Sequence, residues 1–116
     1  MRNFRNWEIW KLSRKFVVEI YMITKDFPIE EKYGLTNQLR RASVSIPANI
    51  AEGAGRQSEK ELKQFLHISM GSSFEVETMI YISNDLDYIT IDRQEKLCSE
   101  LNLIQAKLSA FISKLK

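Results

Sequence analysis

Apolar residues recur every three or four positions through four long segments of this 116-residue chain. This spacing is the period of an α-helix with one buried face, whereas a half-buried strand requires strict alternation of polar and apolar residues. Only two prolines and four glycines are present to interrupt helices. Residues 1–116 are therefore predicted to form a single all-α domain, an up-down-up-down antiparallel four-helix bundle.

The first two predicted helices are separated by a loop that contains a proline and a glycine. The first helix is expected from about Phe4 to Lys25. Its pattern stops at Pro28 and Gly34, because proline disfavours helix at the residue before it and glycine adopts turn geometry readily. The second helix follows and is expected to end near Gly53.

Small and hydroxyl side chains mark the last two helix starts. Gly53 and Gly55 are expected to end the second helix with left-handed backbone, which glycine adopts at low cost. Ser58 and Glu61 have the spacing of a capping box and predict the start of the third helix. Thr90 is the expected cap of the fourth helix.

Pro47 lies inside the second predicted helix, so a kink is predicted near it. An interior proline removes one backbone hydrogen bond and costs about 3 kcal/mol, which packing elsewhere must offset. Polar side chains follow this helix at steps of three or four residues and share one face. Either an interhelical hydrogen-bond network or phosphate contacts would account for them. These residues are Arg41, Ser45, Asn49, Glu52 and Arg56.

The charge of the chain is weakly basic overall and unevenly distributed. The formal net charge is +2. Residues 1–25 carry six basic and two acidic side chains, whereas residues 75–100 carry seven acidic and two basic ones. This asymmetry fits either subunits that meet basic side to acidic side or ordinary solvated faces. The candidates for polyanion contact are Arg2, Arg5, Lys11, Arg14 and Lys15, followed by Arg40, Arg41 and Arg56.

Several apolar residues lie outside the four core stripes and predict a second apolar surface. A helix that is apolar on more than one face, in a protein this small, is expected to meet another chain. Self-association into a homo-oligomer is therefore predicted, with a broad core and scattered exposed residues as the alternative. The residues concerned are Trp7, Ile9, Val44, Ile68, Met70, Ile80, Ile82, Leu103 and Ala106.

No constellation of catalytic or metal-binding residues is recognisable. His67 and Cys98 are the sole histidine and cysteine, and Gln64 stands where a Glu-x-x-His metal motif would need a glutamate. We therefore expect no enzymatic activity, metal or cofactor, with a small ribonuclease using His67 as a lesser alternative. No apolar run of membrane-spanning length and no leader are apparent, which predicts a cytoplasmic protein without membrane association.

A long motif in the first three helices resembles a known family. The chain is similar to the four-helix bundle proteins encoded in intervening sequences of bacterial 23S ribosomal RNA genes. The resemblance covers nearly the whole chain. Ser43 and Ser69 stand where alanine is commoner in the family, and Asp87 stands where a glycine often precedes Tyr88. The motif residues are Arg41, Ser45, Pro47, Asn49, Glu52, Gly53, Gly71 and Glu75.

The resemblance implies a bundle that frequently assembles as a five-fold ring and has no established enzymatic activity. The chain is also similar to the accessory variability determinant of diversity-generating retroelements, a ring that binds reverse transcriptase and nucleic acid. This likeness implies a pentameric adaptor for RNA, or for a ribonucleoprotein or reverse-transcriptase partner. The alternative is a structural or protein-interaction module that binds no nucleic acid.

Overall fold

A computed structural model describes residues 2–116, which fold into four long helices. No strand occurs in the described residues, so the predicted all-α four-helix bundle is confirmed. The helices are α1 (Glu8–Thr24), α2 (Leu35–Ala54), α3 (Glu59–Asp85) and α4 (Ile91–Lys114), with 3-10 turns at Phe4–Asn6 and Ile29–Glu31.

Side-chain contacts define how the helices are arranged. Arg40, near the start of α2, donates a hydrogen bond to Thr24 at the end of α1. Gln105 of α4 likewise donates a hydrogen bond to Glu77 of α3. These contacts place α2 beside α1 and α4 beside α3. Within residues 2–116, α1 contacts α2 and α4 and lies diagonally across the bundle from α3.

The core contains apolar side chains from all four helices, and two of them were predicted to lie outside it. Ile9 is 4% exposed and Ile80 is fully buried. The buried face of a straight helix drifts away from a strict seven-residue repeat, so a heptad reading assigns some core residues to the surface. The largest fully buried side chains are Phe16, Ile20, Leu39, Ile46, Ile50, Leu62, Leu66, Ile80, Leu97, Leu101, Ile104 and Leu108.

Helix α1 begins at Glu8 rather than at Phe4 as predicted. Phe4 belongs to a 3-10 turn, and Trp7 has extended backbone with φ −75° and ψ 130°. Aromatic packing accounts for the difference, since the Phe4 ring meets Trp10 edge-on at 5.2 Å and the Trp7 ring meets Phe111 at 4.9 Å. The first residues thus cover the end of the bundle.

Two of the predicted helix caps are present, and α2 ends at Ala54, close to the predicted Gly53, but the left-handed backbone predicted there was wrong. The Glu61 amide donates to Ser58 Oγ over 3.1 Å, and the Arg93 amide donates to Thr90 Oγ1 over 3.2 Å. Gly55, however, has φ −81°, and no described glycine has positive φ. Its amide instead closes a right-handed turn onto the Glu52 carbonyl.

Asp87 is the one described non-glycine residue with left-handed backbone, at φ 62°. It lies between α3 and α4, directly before Tyr88, where the resemblance leads one to expect glycine. The Tyr88 hydroxyl donates to Glu31 Oε2 over 2.8 Å, and Glu31 Oε1 accepts from the Leu35 amide over 3.0 Å. The Leu35 amide and then the Tyr88 hydroxyl lower the pKa of Glu31. This contact ties the α1–α2 and α3–α4 connections together.

Candidate interaction surfaces

Ser45 of the predicted polar row joins α2 to α3, and Asn49 hydrogen-bonds to Ser45 within α2. The Ser45 and Ser72 hydroxyls share a hydrogen bond of 2.8 Å across the two helices. Asn49 Nδ2 donates to Ser45 Oγ over 2.8 Å and to the Ser45 carbonyl over 2.9 Å. Because these half-buried groups satisfy one another, their arrangement matches the interhelical network and leaves little for a phosphate.

A second hydrogen bond between α2 and α3 lies next to Pro47. Proline has no amide hydrogen, so the Ser43 carbonyl four residues earlier lacks its usual helical donor. On the adjacent residue, the Ile46 carbonyl accepts a buried hydrogen bond of 2.9 Å from Ser69 Oγ of α3. Helix α2 is continuous through Pro47, and a kink there stays a prediction.

Gly53 is the closest point between α2 and α3. It is buried, and a Cβ on it would lie 2.9 Å from Phe65 Cβ and 3.2 Å from the Leu62 carbonyl oxygen. Non-bonded carbon atoms do not approach so closely without a shift of the backbone. The absence of a side chain at Gly53 therefore sets the spacing of these two helices.

Arg2 and Arg56, two candidate polyanion contacts, bind the end of α2. Arg2 Nη1 donates to the Ala54 carbonyl over 3.3 Å and to the Arg56 carbonyl over 2.6 Å. A cation at this position interacts favourably with the free carbonyls of a helix C-terminus. Arg56 forms an exposed 2.7 Å ion pair with Glu52 and lies over the Phe65 ring at 4.7 Å.

Arg40 also makes contacts inside the bundle. Its Nε donates to Thr24 Oγ1 over 2.8 Å, and its guanidinium lies 4.7 Å from the Tyr21 ring centroid. The structure therefore gives hydrogen bonds or ion pairs to three of the eight candidate cations. The remaining candidates are exposed, and they are Arg5, Lys11, Arg14, Lys15 and Arg41. Arg5 and Arg14 are exposed but lie over aromatic rings, those of Phe4 and Trp10.

Arg41 and Glu75 line a groove of about 620 Å³ between α2 and α3. Ser45 and Ser72 lie in the same groove. Both charged side chains are exposed, and neither forms an ion pair within residues 2–116. The groove thus offers one charge of each sign at the surface.

The outer face of α3 is apolar and open around Gly71. A Cβ on Gly71 would meet no atom of the described chain within 4 Å. Ile68 and Phe74 lie three residues to either side of it and are 51% and 53% exposed. Ile82 continues the exposed apolar face toward the end of the helix. This outer α3 face lies away from the core and has no covering element among residues 2–116.

The two side chains with the most obvious reactivity, His67 and Cys98, have different surroundings. His67 is exposed on α3 and makes no hydrogen bond to another described residue. Cys98 is buried, and burial raises the pKa of its thiol, so the unreactive protonated form is favoured. Residues 2–116 contain no group of three or more histidine, cysteine or carboxylate side chains placed to hold a metal ion.

Three lysines of α4 were missed by the sequence analysis as candidate contacts. Lys96 and Lys107 lie on the side of α4 that faces α1, and Lys114 lies near the start of α1. They are far from Lys11 and Lys15 in sequence but share one face of the fold. The packing of α4 against α1 brings these lysines together, so a sequence analysis that paired the first and last helices would have identified them.

The geometry defines a four-helix bundle whose second and third helices are joined by small and hydroxyl side chains. The chain belongs to the 23S rRNA-intervening sequence protein family, whose model matches residues 5–110. Its fold is similar to the crystal structure of a protein of unknown function from the S23 ribosomal protein family of Bacteroides thetaiotaomicron. The two share 24% identity at a TM-score of 0.83, over 90% of this chain and 95% of that one.

Two further observations concern curated proteins and membrane spans. No curated protein matches the sequence significantly. None of the described helices combines the length and apolar character needed to cross a membrane.

Proposed function

We propose that the protein is a non-enzymatic, homo-oligomeric adaptor whose assembled particle, a pentameric ring, binds RNA or an RNA-handling protein. The observation that carries the proposal is the exposed apolar surface around Gly71 on the outer α3 face. A second copy of this chain is the occupant that fits this surface. The assembled particle then repeats the basic side chains of each chain around its circumference.

The outer α3 face is more apolar than the fold of one chain requires. The core is complete without Ile68, Phe74 and Ile82, which remain exposed. Burying such side chains contributes about 25 cal/mol per Å² of apolar area. Gly71 costs about 1 kcal/mol relative to alanine in an exposed helix. A second helix that approaches closely at Gly71 would offset this cost.

The charges beside this face favour a second copy of the same chain. Arg41 and Glu75 carry opposite charges and lack partners within the described chain. In a head-to-tail contact, Arg41 of one copy can pair with Glu75 of the next. Head-to-tail contacts close into a ring when the rotation between copies permits, and five-fold closure is the expectation from the family resemblance.

The RNA part of the proposal is supported by exposed basic side chains on and before α1. Arg5, Lys11, Arg14 and Lys15 are all exposed. One chain offers few phosphate contacts, and each contributes modestly at physiological salt. Several copies held in one particle raise the effective concentration of these contacts, so the assembly binds where a single chain would not.

The proposed assembly is tested by light scattering coupled to gel filtration of nuclease-treated protein. The variant Gly71→Glu places a charged side chain in open space on the outer α3 face, and the matched control Ser109→Glu does the same on exposed α4. We expect the wild type and Ser109→Glu to be multimers and Gly71→Glu to be a folded monomer. A monomeric wild type would contradict self-association.

The RNA part is tested in the same experiment with added structured RNA at two salt concentrations. We expect the multimer to bind RNA at low salt and release it at high salt, since phosphate contacts displace counterions. A multimer that ignores RNA would favour the alternative, a protein-interaction module that uses the same apolar face. RNA cleavage abolished by His67→Ala would contradict the non-enzymatic assignment.

A further inference from the structure

A second groove, of about 490 Å³, lies between α1 and α4. Its apolar lining comes from Leu12 and Phe16 of α1 and from Leu103 and Ile104 of α4. Its polar lining combines two carboxylates with two ammonium groups. These side chains are Lys15, Glu19, Lys96 and Glu100.

Lysines extend along this α1–α4 face beyond the groove itself. Lys11 is exposed one helical turn before Lys15. Lys107 forms an exposed ion pair of 3.3 Å with Glu8, a type of contact that is weak and readily exchanged. Lys114 lies beside Glu8 near the start of α1. By the same spacing, Asp92 is exposed one helical turn before Lys96. Five lysines and four carboxylates therefore occupy the face, a net charge of +1 when all are ionised.

Glu19 of α1 and Glu100 of α4 both line the groove. Burial, followed by the hydrogen bond to Glu19 and its charge, raises the pKa of Glu100 to about 7, although Lys96 and Lys15 act in the opposite direction. Two adjacent carboxylates disfavour simultaneous ionisation and tend to share one proton.

Other charged groups along the α1–α4 face lie at its two ends. Glu8 and Lys107 pair at one end, and Asp26 and Arg93 line a separate pocket near the other. The pair in the middle is therefore the group whose charge the α1–α4 face can change near neutral pH.

We infer that the α1–α4 face binds the phosphates of RNA and that a proton on Glu100, beside Glu19, strengthens this binding. The inference rests on the proposed RNA-binding function and names its surface and its regulation. One proton on Glu100 raises the net charge of the face from +1 to +2. It also removes a negative charge from the groove that Lys15 and Lys96 line, where a phosphate would otherwise be repelled.

The sign of the pH dependence follows from this linkage. At pH values above the pKa of Glu100 its carboxyl group is ionised, and this negative charge weakens phosphate binding. Below that pKa the carboxyl group is protonated. Because bound phosphate favours the protonated carboxyl group, RNA affinity should increase about three- to tenfold between about pH 8 and about pH 6.

The experiment measures fluorescence anisotropy of a short fluorescein-labelled RNA hairpin across this pH range. Glu100→Gln removes the titrating group, and Glu95→Gln removes an exposed carboxylate of α4 outside the groove. All proteins carry His67→Gln, because histidine ordinarily titrates in the same range. We expect Glu100→Gln to bind at about pH 8 as tightly as its parent binds at about pH 6, and Glu95→Gln to keep the pH dependence.

Two further measurements separate the possible failures. Carbon-detected NMR of the side-chain carboxyl groups should show Glu100 titrating near neutrality without RNA, and Lys15→Gln with Lys96→Gln should reduce the salt dependence of binding. RNA binding with no pH dependence, or with an unchanged salt slope, would overturn this inference and leave the proposed function intact. No RNA binding by any protein, including the multimeric parent, would contradict the RNA part of the proposed function itself.

Discussion

Two glycines of the bundle have opposite surroundings, although both lie within long helices. A Cβ on Gly53 would lie 2.9 Å from Phe65 Cβ, whereas a Cβ on Gly71 would meet nothing within 4 Å. The missing side chain at Gly53 therefore permits a close contact between α2 and α3 within the chain. The missing side chain at Gly71 permits no contact within one chain, and this difference is the reason to propose a contact with a second copy. Neither glycine is used for left-handed backbone, the property for which glycine is usually chosen.

The same contrast extends to the two sides of α3. Its inner side faces α2 with buried hydroxyl groups, including Ser69 and Ser72, which hydrogen-bond across the interface. Its outer side exposes Ile68 and Phe74. Polar groups are thus buried where they find fixed partners, and apolar groups are exposed where a second copy is proposed to cover them.

The largest effect is expected from adding a side chain at Gly53. Gly53→Val should lower the free energy of unfolding by about 3 kcal/mol, because the new methyl groups overlap Phe65 and the Leu62 carbonyl. Urea unfolding followed by circular dichroism measures the change. The matched variant Gly71→Val, at a protein concentration that keeps the chain monomeric, should change it by less than about 0.5 kcal/mol. Equal effects of the two variants would abolish the contrast between these glycines.

An intermediate effect is expected from breaking the hydroxyl network between α2 and α3. Asn49→Ala should cost about 2 kcal/mol, since it removes the two hydrogen bonds that Asn49 Nδ2 donates to the Ser45 hydroxyl and carbonyl. Thermal and urea unfolding check this value. Asn102→Ala, on the exposed side of α4, is the control and should cost less than about 0.5 kcal/mol. If the two asparagine variants are equally stable, the network does not hold the inner side of α3.

The smallest effect is expected at Asp87, which has the left-handed backbone that neither Gly53 nor Gly71 uses. Asp87→Gly should raise the free energy of unfolding by about 1 kcal/mol, because glycine lacks the Cβ that strains this region. Asp85→Gly, at the end of α3, should change it by less than about 0.5 kcal/mol, because the lower helix propensity of glycine and the removal of a negative charge from a helix C-terminus offset each other. Differential scanning calorimetry of both variants checks the predicted difference, and a loss of stability in Asp87→Gly would refute it.

The fold was predictable because its signals are local and repeated. The apolar period, the Ser58 and Thr90 caps and the small number of breaking residues indicate four helices without any knowledge of their neighbours. The boundary at Phe4 was wrong because the aromatic contact of Trp7 with Phe111 of α4 is tertiary. Ile9 and Ile80 were misplaced because the buried face of a real helix drifts relative to a seven-residue repeat.

The candidate surfaces were only partly predictable. Basic residues are visible in sequence, but whether a guanidinium is free depends on the surrounding backbone. Arg2 binds the end of α2 more than fifty residues away, and Arg40 binds the end of α1. Lys96 and Lys107 became candidates only when α4 was seen beside α1.

The sequence by itself determined the helices, the family and the presence of excess apolar surface, since periodicity, capping and a long motif are properties of neighbouring residues. The tertiary structure decided which glycine is enclosed, which cations are engaged and which carboxylates meet. Helix pairing brings together groups such as Glu19 and Glu100 that are distant along the chain. The protonation of Glu100 depends on its burial and on its proximity to Glu19, and the order of residues along the chain contains neither.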